Sequence, residues 1–176
     1  MTNTTTLLDR NRRFAGDFAA AELPILPKLR TVILACADAR VDPAHILGLE
    51  LGDAVVIRNN GGRVTRAVLE EIATLSFMVA KMEGGEPGPF ELILMQHTQC
   101  GAERFADPVF QGALKDHLGI DVSPVAITDH EQSLRDDVER LRSAPEVPGH
   151  IVVSGFIYDV KHGSVREVIA PAALAP

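Results

Sequence analysis

The sequence predicts a single-domain α/β fold, in which a mainly parallel sheet of four strands plus an edge strand carries helices on both faces. Two observations support this prediction. Short apolar runs typical of buried strands alternate with longer segments whose apolar residues recur at helical spacing. In addition, the 176 residues are 46% hydrophobic, which is enough for one domain with a sizeable core. We divide the chain into an N-terminal helical arm with a proline connector, residues 1–30, and an α/β domain, residues 31–176.

The arm is expected to begin with a helix. Phe14 and Phe18 lie at helical spacing within residues 7–23, and Pro24 and Pro27 follow as a stiff connector. A helix on such a connector either lies on its own domain or packs across a second subunit. Both arrangements are compatible with the sequence.

The strands are predicted from aliphatic runs that are too short for helices. Near-continuous apolar runs indicate strands that are buried on both faces, as in a parallel sheet. A loop rich in glycine and proline at residues 84–89 leads into the third strand, and a turn at residues 161–163 precedes the edge strand. In chain order, the predicted strands are residues 31–35, 54–58, 92–95, 151–153 and 164–169.

Three helices are predicted within the domain. An N-cap and a first-turn proline at residues 42–43 begin a short helix that runs to Leu49. Thr128 and Glu131 have the spacing of a capping box for a helix that ends at about Arg142. A third helix is predicted over residues 65–82, and its buried face is expected to consist of Val68, Ile72, Leu75, Val79 and Met82. The helix that ends at about Arg142 is expected to bury Leu134, Val138 and Leu141.

Composition excludes two classes of partner. The formal net charge is -7, and the sequence has no cluster of lysine and arginine that would indicate nucleic-acid binding. No apolar stretch is long enough to span a membrane. The first six residues are polar, unlike a secretory leader. We therefore expect a cytoplasmic protein whose partners are small molecules and copies of itself.

The only two cysteines of the chain lie in short polar motifs, CADAR at 36–40 and HTQC at 97–100, each directly after a predicted strand. The carboxyl ends of strands in an open α/β sheet are where ligands bind. Two thiolates and an imidazole, from Cys36, Cys100 and His97, suit tetrahedral zinc and leave a fourth position for water. The alternatives are a disulfide or two inert thiols. In the reducing cytoplasm, however, such a pair more often binds a metal or takes part in catalysis.

These two motifs, in this order, resemble those of the β-class carbonic anhydrases. Residues 51–62, ending in Arg-Asn-Asn-Gly-Gly, are similar to the second strand and glycine-bearing loop of that family, and residues 155–160 are similar to its late strand and turn. The resemblance implies a zinc-binding domain in which Cys36, His97 and Cys100 hold Zn²⁺. It further implies reversible hydration of CO2 to bicarbonate and a proton, through attack by a zinc-bound hydroxide.

The resemblance also assigns catalytic roles to Asp38 and Arg40. A guanidinium binds a carboxylate through two parallel hydrogen bonds, which would keep Asp38 ionised and turned away from zinc, ready to orient the hydroxide. A simple loop salt bridge is the alternative. In some family members the same aspartate swings onto zinc and closes the site.

The pocket is expected to include a wall from Asn60, Gly61 and Gly62, and Gly101 at the start of a helix whose first amides could bind bicarbonate. The other histidines have no partner motif and are not expected to bind the metal. These are His45, His117, His130, His150 and His162.

The resemblance also implies that the N-terminal helix packs on a partner subunit in a homodimer or an assembly of dimers. Two other functions are compatible with the motifs. One is hydrolysis of a CO2 analogue, carbonyl sulfide or carbon disulfide, at the same site. The other is a noncatalytic zinc-binding or anion-sensing role, with Asp38 on the metal.

The sequence departs from the family pattern at two places. Residues 101–105 are more polar than expected beside a CO2 pocket, and residues 26–29 lack the glutamine donor that many family members carry.

Overall fold

A single five-stranded sheet forms the centre of the protein in the computed structural model, which describes residues 2–85 and 88–175. The predicted loop at 84–89 therefore lies partly outside the described residues. The strands are β1 (Thr31–Cys36), β2 (Ala54–Asn59), β3 (Glu91–His97), β4 (Val152–Tyr158) and β5 (Val165–Ala173). They lie in the order β2-β1-β3-β4-β5, and the first four are parallel, whereas β5 runs antiparallel to β4 at the edge. This confirms the predicted fold class.

The strand order reverses between β1 and β3. From β1 the chain passes to β2 on one side, and it then returns to β3 on the other side. In this register Cys36 lies beside Asn59 of β2, and Ala35 lies beside Met95 of β3. The carboxyl ends of β1 and β3 thus meet at the switch point, where open α/β sheets bind ligands.

The two faces of the sheet are covered unequally. The helices are α1 (Asn3–Gly16), α2 (Pro43–Leu47), α3 (Arg66–Met82), α4 (Pro108–Leu118) and α5 (His130–Ser143). Helices α3 and α5 pack on one face and form the main core with β1, β3 and β4. The short helix α2 contributes to a smaller cluster on the other face, around Ile33 and Met95. None of the helices in the described ranges combines the length and hydropathy that a bilayer crossing requires.

Two predicted helix boundaries and one residue predicted to be buried differ from the structure. Helix α5 begins after Asp129, whose carboxylate accepts a hydrogen bond from the backbone N–H of Gln132, so Thr128 and Glu131 do not form the capping box. Helix α2 ends at Leu47 because Gly48 takes the left-handed conformation that closes a helix. In α3, Met82 is exposed instead of buried.

Helix α1 buries none of its residues against the described part of the domain. It ends at Gly16, so Phe18 lies beyond it, and no residue of Asn3–Gly16 is buried. The exposed fractions are 60% for Leu7 and 53% for Phe14. An apolar helix face that is left in water is unfavourable, and such faces mark interaction surfaces.

One ion pair is fully enclosed between α5 and the segment that leads into α3. The side chain of Arg63 is 2% exposed and that of Asp137 is not exposed at all. Arg63 Nε donates to Asp137 Oδ2 at 2.7 Å, and Arg63 Nη1 donates to the carbonyl of Ala126 at 2.9 Å. Arg140 Nη1 also donates to the buried carboxylate, at 2.9 Å. Because Arg63 directly follows Gly62, this pair anchors the glycine loop to α5.

Removing the buried carboxylate should destabilise the fold. Asp137→Ala would leave Arg63 charged and unpaired in the interior, and we expect the free energy of unfolding, measured by urea denaturation, to fall by about 3–5 kcal/mol. Asp136→Ala is the matched control, because the neighbouring Asp136 is exposed, and its effect should be below about 0.5 kcal/mol. Equal effects of the two substitutions would contradict an anchoring role for the pair.

Candidate metal centre

Three buried side chains converge where β1 and β3 end. The Sγ atoms of Cys36 and Cys100 and a ring nitrogen of His97 all lie within 4.8 Å of one another, and the two sulfurs are 3.7 Å apart. Cys36 is the last residue of β1 and His97 the last of β3. Gln99 adopts a left-handed conformation, with φ 56°, and this tight turn brings Cys100 back beside His97.

His97 presents one nitrogen to the two sulfurs. Its Nδ1 lies 3.0 Å from the carbonyl oxygen of Thr98, which can only accept a hydrogen bond, so Nδ1 carries the proton. Its Nε2 is buried and has no hydrogen-bond partner among the described residues. A buried, unpartnered lone pair next to two cysteine sulfurs fits a metal ion. Two sulfur donors and one nitrogen donor, with a fourth position left to water, suit zinc.

The environment of the two sulfurs favours a negative charge. The backbone N–H of Asp38 lies 3.4 Å from Cys36 Sγ. The hydrogen bond from the neighbouring Cys100 thiol lowers the pKa of Cys36, and the same contact raises the pKa of Cys100, because two thiols this close share one proton before either gives up the second. Zinc binds cysteine as the thiolate, so a metal ion would take the place of that shared proton.

Asp38 and Arg40 form a bidentate pair beside the sulfurs. Arg40 donates to Asp38 through Nε at 3.0 Å and through Nη2 at 2.6 Å, and its backbone N–H donates to Asp38 Oδ1 at 2.9 Å. These hydrogen bonds hold the pKa of Asp38 well below its usual range. Arg40 Nη2 also donates to the carbonyl of Gln99. The guanidinium therefore connects the two sequence motifs and turns the carboxylate of Asp38 toward itself.

Arg58 also braces this loop, a role that the sequence did not reveal. Its Nε donates to the carbonyl of Cys36 at 3.0 Å and its Nη2 donates to the carbonyl of Asp38 at 2.7 Å. Arg58 is the next-to-last residue of β2, and β2 is paired with β1. Its position at a strand end, next to a polar loop, is the only signal in the sequence, and that signal is weak.

Beside the sulfurs lies a pocket of about 340 Å³. Asn60, Gly61 and Gly101 line this pocket, and Gly62 does not. Gly62 lies behind the pocket wall with φ +62°, and a Cβ there would come within 3.0 Å of backbone atoms of Ala35 and Cys36. Its glycine therefore serves close packing against β1. The full lining is Cys36, Ala37, Asp38, Asn60, Gly61, Gly101, Ala102 and Phe105.

The segment after Cys100 is a 3₁₀ turn, Gly101–Ala106, where the sequence predicted the start of an α-helix. Glu103 Oε1 accepts the backbone N–H of Cys100 at 3.0 Å, and it lies 3.1 Å from Nε2 of His130. His130 is therefore close to the site, although no motif in the sequence placed it there. His45, His117 and His162 make only local contacts on exposed surface.

Comparisons with known proteins agree with this geometry. A family model described as "Carbonic anhydrase" matches residues 31–144, well over half of the chain. "Beta-carbonic anhydrase 1" of Mycobacterium tuberculosis is 35% identical over 170 residues, which cover 96% of this chain and 99% of the relative. "Carbon disulfide hydrolase" of Acidithiobacillus thiooxidans is 28% identical over 161 residues, covering 78% and 76%.

A solved structure shows the same architecture. The crystal structure of a carbonic anhydrase from Streptococcus mutans superposes with a TM-score of 0.77 and 36% identity, covering 96% of this chain and 98% of the other. The family model, the sequence relatives and the fold therefore give one result: this chain belongs to the β-carbonic anhydrase family of enzymes.

Proposed function

We propose that this protein catalyses the reversible hydration of CO2 to bicarbonate and a proton, with zinc held by Cys36, His97 and Cys100. The observation that carries the proposal is the buried Nε2 of His97, which faces two cysteine sulfurs and has no partner among the described residues. The named activity of its relatives supports the same reaction.

Zinc bound to these three side chains would supply a Lewis acid that brings the pKa of a water ligand to about 7. The protein's own part is to hold that water in one orientation. Asp38 lines the pocket beside Cys36, and as an ionised carboxylate it can only accept hydrogen bonds. A water at this place would donate one O–H to Asp38, which leaves an oxygen lone pair free to face CO2.

Arg40 acts through Asp38. Its two hydrogen bonds keep the carboxylate ionised and draw it away from the metal ligands. The same contacts disfavour the noncatalytic alternative, in which Asp38 would occupy the fourth coordination position, because Asp38 would first have to give up its bidentate partner.

The remaining lining suits a small apolar molecule. Ala102 is buried and Phe105 half-buried, and both offer apolar surface, while the exposed Gly101 leaves its backbone accessible. Asn60 is the exposed polar group at this wall, and it is suited to donate to an oxygen of bicarbonate. The polar character of residues 101–105 comes from Glu103 and Arg104, which do not line the pocket.

A second substrate class remains a candidate. Carbon disulfide hydrolases are among the relatives, and CS2 is a linear analogue of CO2 that the same ligand set could act on. The 35% identity to a β-carbonic anhydrase over nearly the whole chain favours CO2 as the substrate.

Zinc content and CO2 hydration should be lost together when a sulfur ligand is replaced. We expect one zinc per chain in the wild type by elemental analysis, and stopped-flow CO2 hydration by the zinc-loaded protein well above its CS2 hydrolysis. Cys36→Ser and Cys100→Ser should each bind much less zinc, because a serine hydroxyl is a poorer zinc ligand than a thiolate, and should lose hydration activity in proportion.

His162→Ala is the matched control, since His162 is an exposed histidine that contacts only its own turn. It should keep both zinc and activity. Full zinc occupancy in the two serine variants would overturn the ligand assignment. A wild type that binds zinc and hydrolyses CS2 but does not hydrate CO2 would overturn the substrate assignment alone.

Arg40→Ala should separate metal binding from catalysis. Zinc should be retained, because Arg40 contacts no ligand side chain, but kcat/KM for CO2 should fall by about 10–100-fold as Asp38 loses the group that orients it. Arg135→Ala, which removes an exposed arginine paired with Glu131, is the control and should leave kcat/KM unchanged. Wild-type activity in zinc-replete Arg40→Ala would refute the orienting role.

The arm and the cellular location are part of the same proposal. We infer that α1 packs across a second copy of the chain in a homodimer or an assembly of dimers, because Leu7 and Phe14 are exposed on one helix face. Residues 1–30 then form an arm and residues 31–176 the zinc-binding domain.

We expect a cytoplasmic location, because thiolate ligands need a compartment in which cysteines stay reduced.

Polar substitutions on the apolar face of α1 should weaken assembly. The wild type should have the mass of a dimer or larger species by size-exclusion chromatography with light scattering, and Leu7→Ser with Phe14→Ser should shift it to a smaller species, because the apolar surface that drives burial is lost. Asn11→Ser, a polar exchange on the same exposed helix, should leave the mass unchanged. A monomeric wild type would contradict the proposal.

A further inference from the structure

A line of hydrogen bonds connects the two ends of the HTQC segment to the start of α5. His130 Nδ1 lies 2.9 Å from Oε1 of Gln96, and His130 Nε2 lies 3.1 Å from Oε1 of Glu103. Glu103 Oε1 in turn accepts the backbone N–H of Cys100 at 3.0 Å. Gln96 directly precedes His97 in β3 and is fully buried. His130 thus bridges the residue before one proposed zinc ligand and the side chain that caps the other.

From this arrangement we propose that His130 is a positioning residue for the zinc site, which it serves by fixing Glu103 and, through Glu103, Cys100. The proposal rests on the zinc site proposed above. His130 does not touch the metal ligands or the pocket, so it acts only through the two side chains that it bridges.

The need for such a brace follows from the local backbone. Cys100 lies between a left-handed residue, Gln99, and a short 3₁₀ turn, and 3₁₀ turns have weaker hydrogen-bond geometry than α-helices. The side chain of Glu103 is 47% exposed, so by itself it would sample several rotamers at an entropic cost to any single one. Contact with His130, whose side chain is 19% exposed, holds Glu103 in the rotamer that accepts from Cys100.

His130 is itself held by rigid structure. It is the first residue of α5, directly after the Asp129 N-cap, and Leu134 and Leu141 anchor that helix in the main core. On its other side the imidazole meets Gln96, whose Nε2 is buried without a partner among the described residues. Rotation of the Gln96 amide would bring that Nε2 to His130 Nδ1, so a neutral His130 accepts from Gln96 at Nδ1 while its Nε2–H donates to Glu103. His130 is thereby tied to β3.

The expected effect is on metal affinity, because residues that orient metal ligands typically change affinity by about 10–100-fold when they are replaced. His130→Ala should weaken zinc binding by that factor, measured by competition with a chromophoric chelator. Glu103→Ala should weaken it similarly. The double variant should bind zinc as tightly as whichever single variant loses more affinity, because both substitutions break the same line of contacts. The visible absorption bands of the Co²⁺-substituted protein should shift in His130→Ala, since they report ligand geometry.

His117→Ala is the matched control, because His117 is an exposed histidine that bonds only within its own helix. It should leave the zinc dissociation constant and the Co²⁺ spectrum unchanged. If His130 served only fold stability, His130→Ala would lower the melting temperature of the metal-free protein but leave zinc affinity and the Co²⁺ bands unaltered, and that result would overturn the proposal. Additive effects of the two alanine substitutions would also overturn it. A wild type that binds no zinc would instead refute the function proposed above.

Discussion

The surrounding structure depends on two buried sulfurs 3.7 Å apart and on an imidazole nitrogen that has no hydrogen-bond partner within the described ranges. Such a group of donors is costly in a protein interior unless a cation binds it, since each buried polar atom has lost its hydration. These metal-binding atoms lie together at the switch point between β1 and β3, where parallel strand ends lie side by side. Loops rather than strands surround this point, so polar side chains can reach the donors.

Arginines organise those loops. Arg58 holds the carbonyls of the Cys36 motif, Arg40 holds Asp38 and the carbonyl of Gln99, and Arg63 is buried with Asp137 behind the glycine loop. Each guanidinium offers up to five donors in a planar fork, which suits it to bind several carbonyl and carboxylate oxygens at once. Hydrogen bonds thereby cross-link the loops around the metal centre, which have little regular structure.

The unequal covering of the sheet has a functional consequence. One face is sealed by α3 and α5, and α5 carries the residues that brace the site from behind, Asp137 through Arg63 and His130 through Glu103. The other face carries only a small cluster with α2, and the apolar surface of α1 is exposed beside the domain. Helix α5 thus braces the metal centre, at the carboxyl ends of β1 and β3, from the covered face of the sheet.

The sequence by itself determined the strands, the order of the polar motifs and the residues that meet at the metal centre, because short aliphatic runs and a cysteine-histidine set carry strong local signals. Residue spacing did not reveal Arg58, Glu103 and His130. Their roles arise from contacts between residues 20 to 34 positions apart, or from a side chain that folds back on its own turn. The N-cap at Asp129 is a local choice between two neighbouring side chains that the capping spacing left open. The place of Gly62 behind the pocket and the 3₁₀ turn after Cys100 depended on the tertiary structure, because packing against distant strands and helices selects among the conformations that a short stretch of sequence allows.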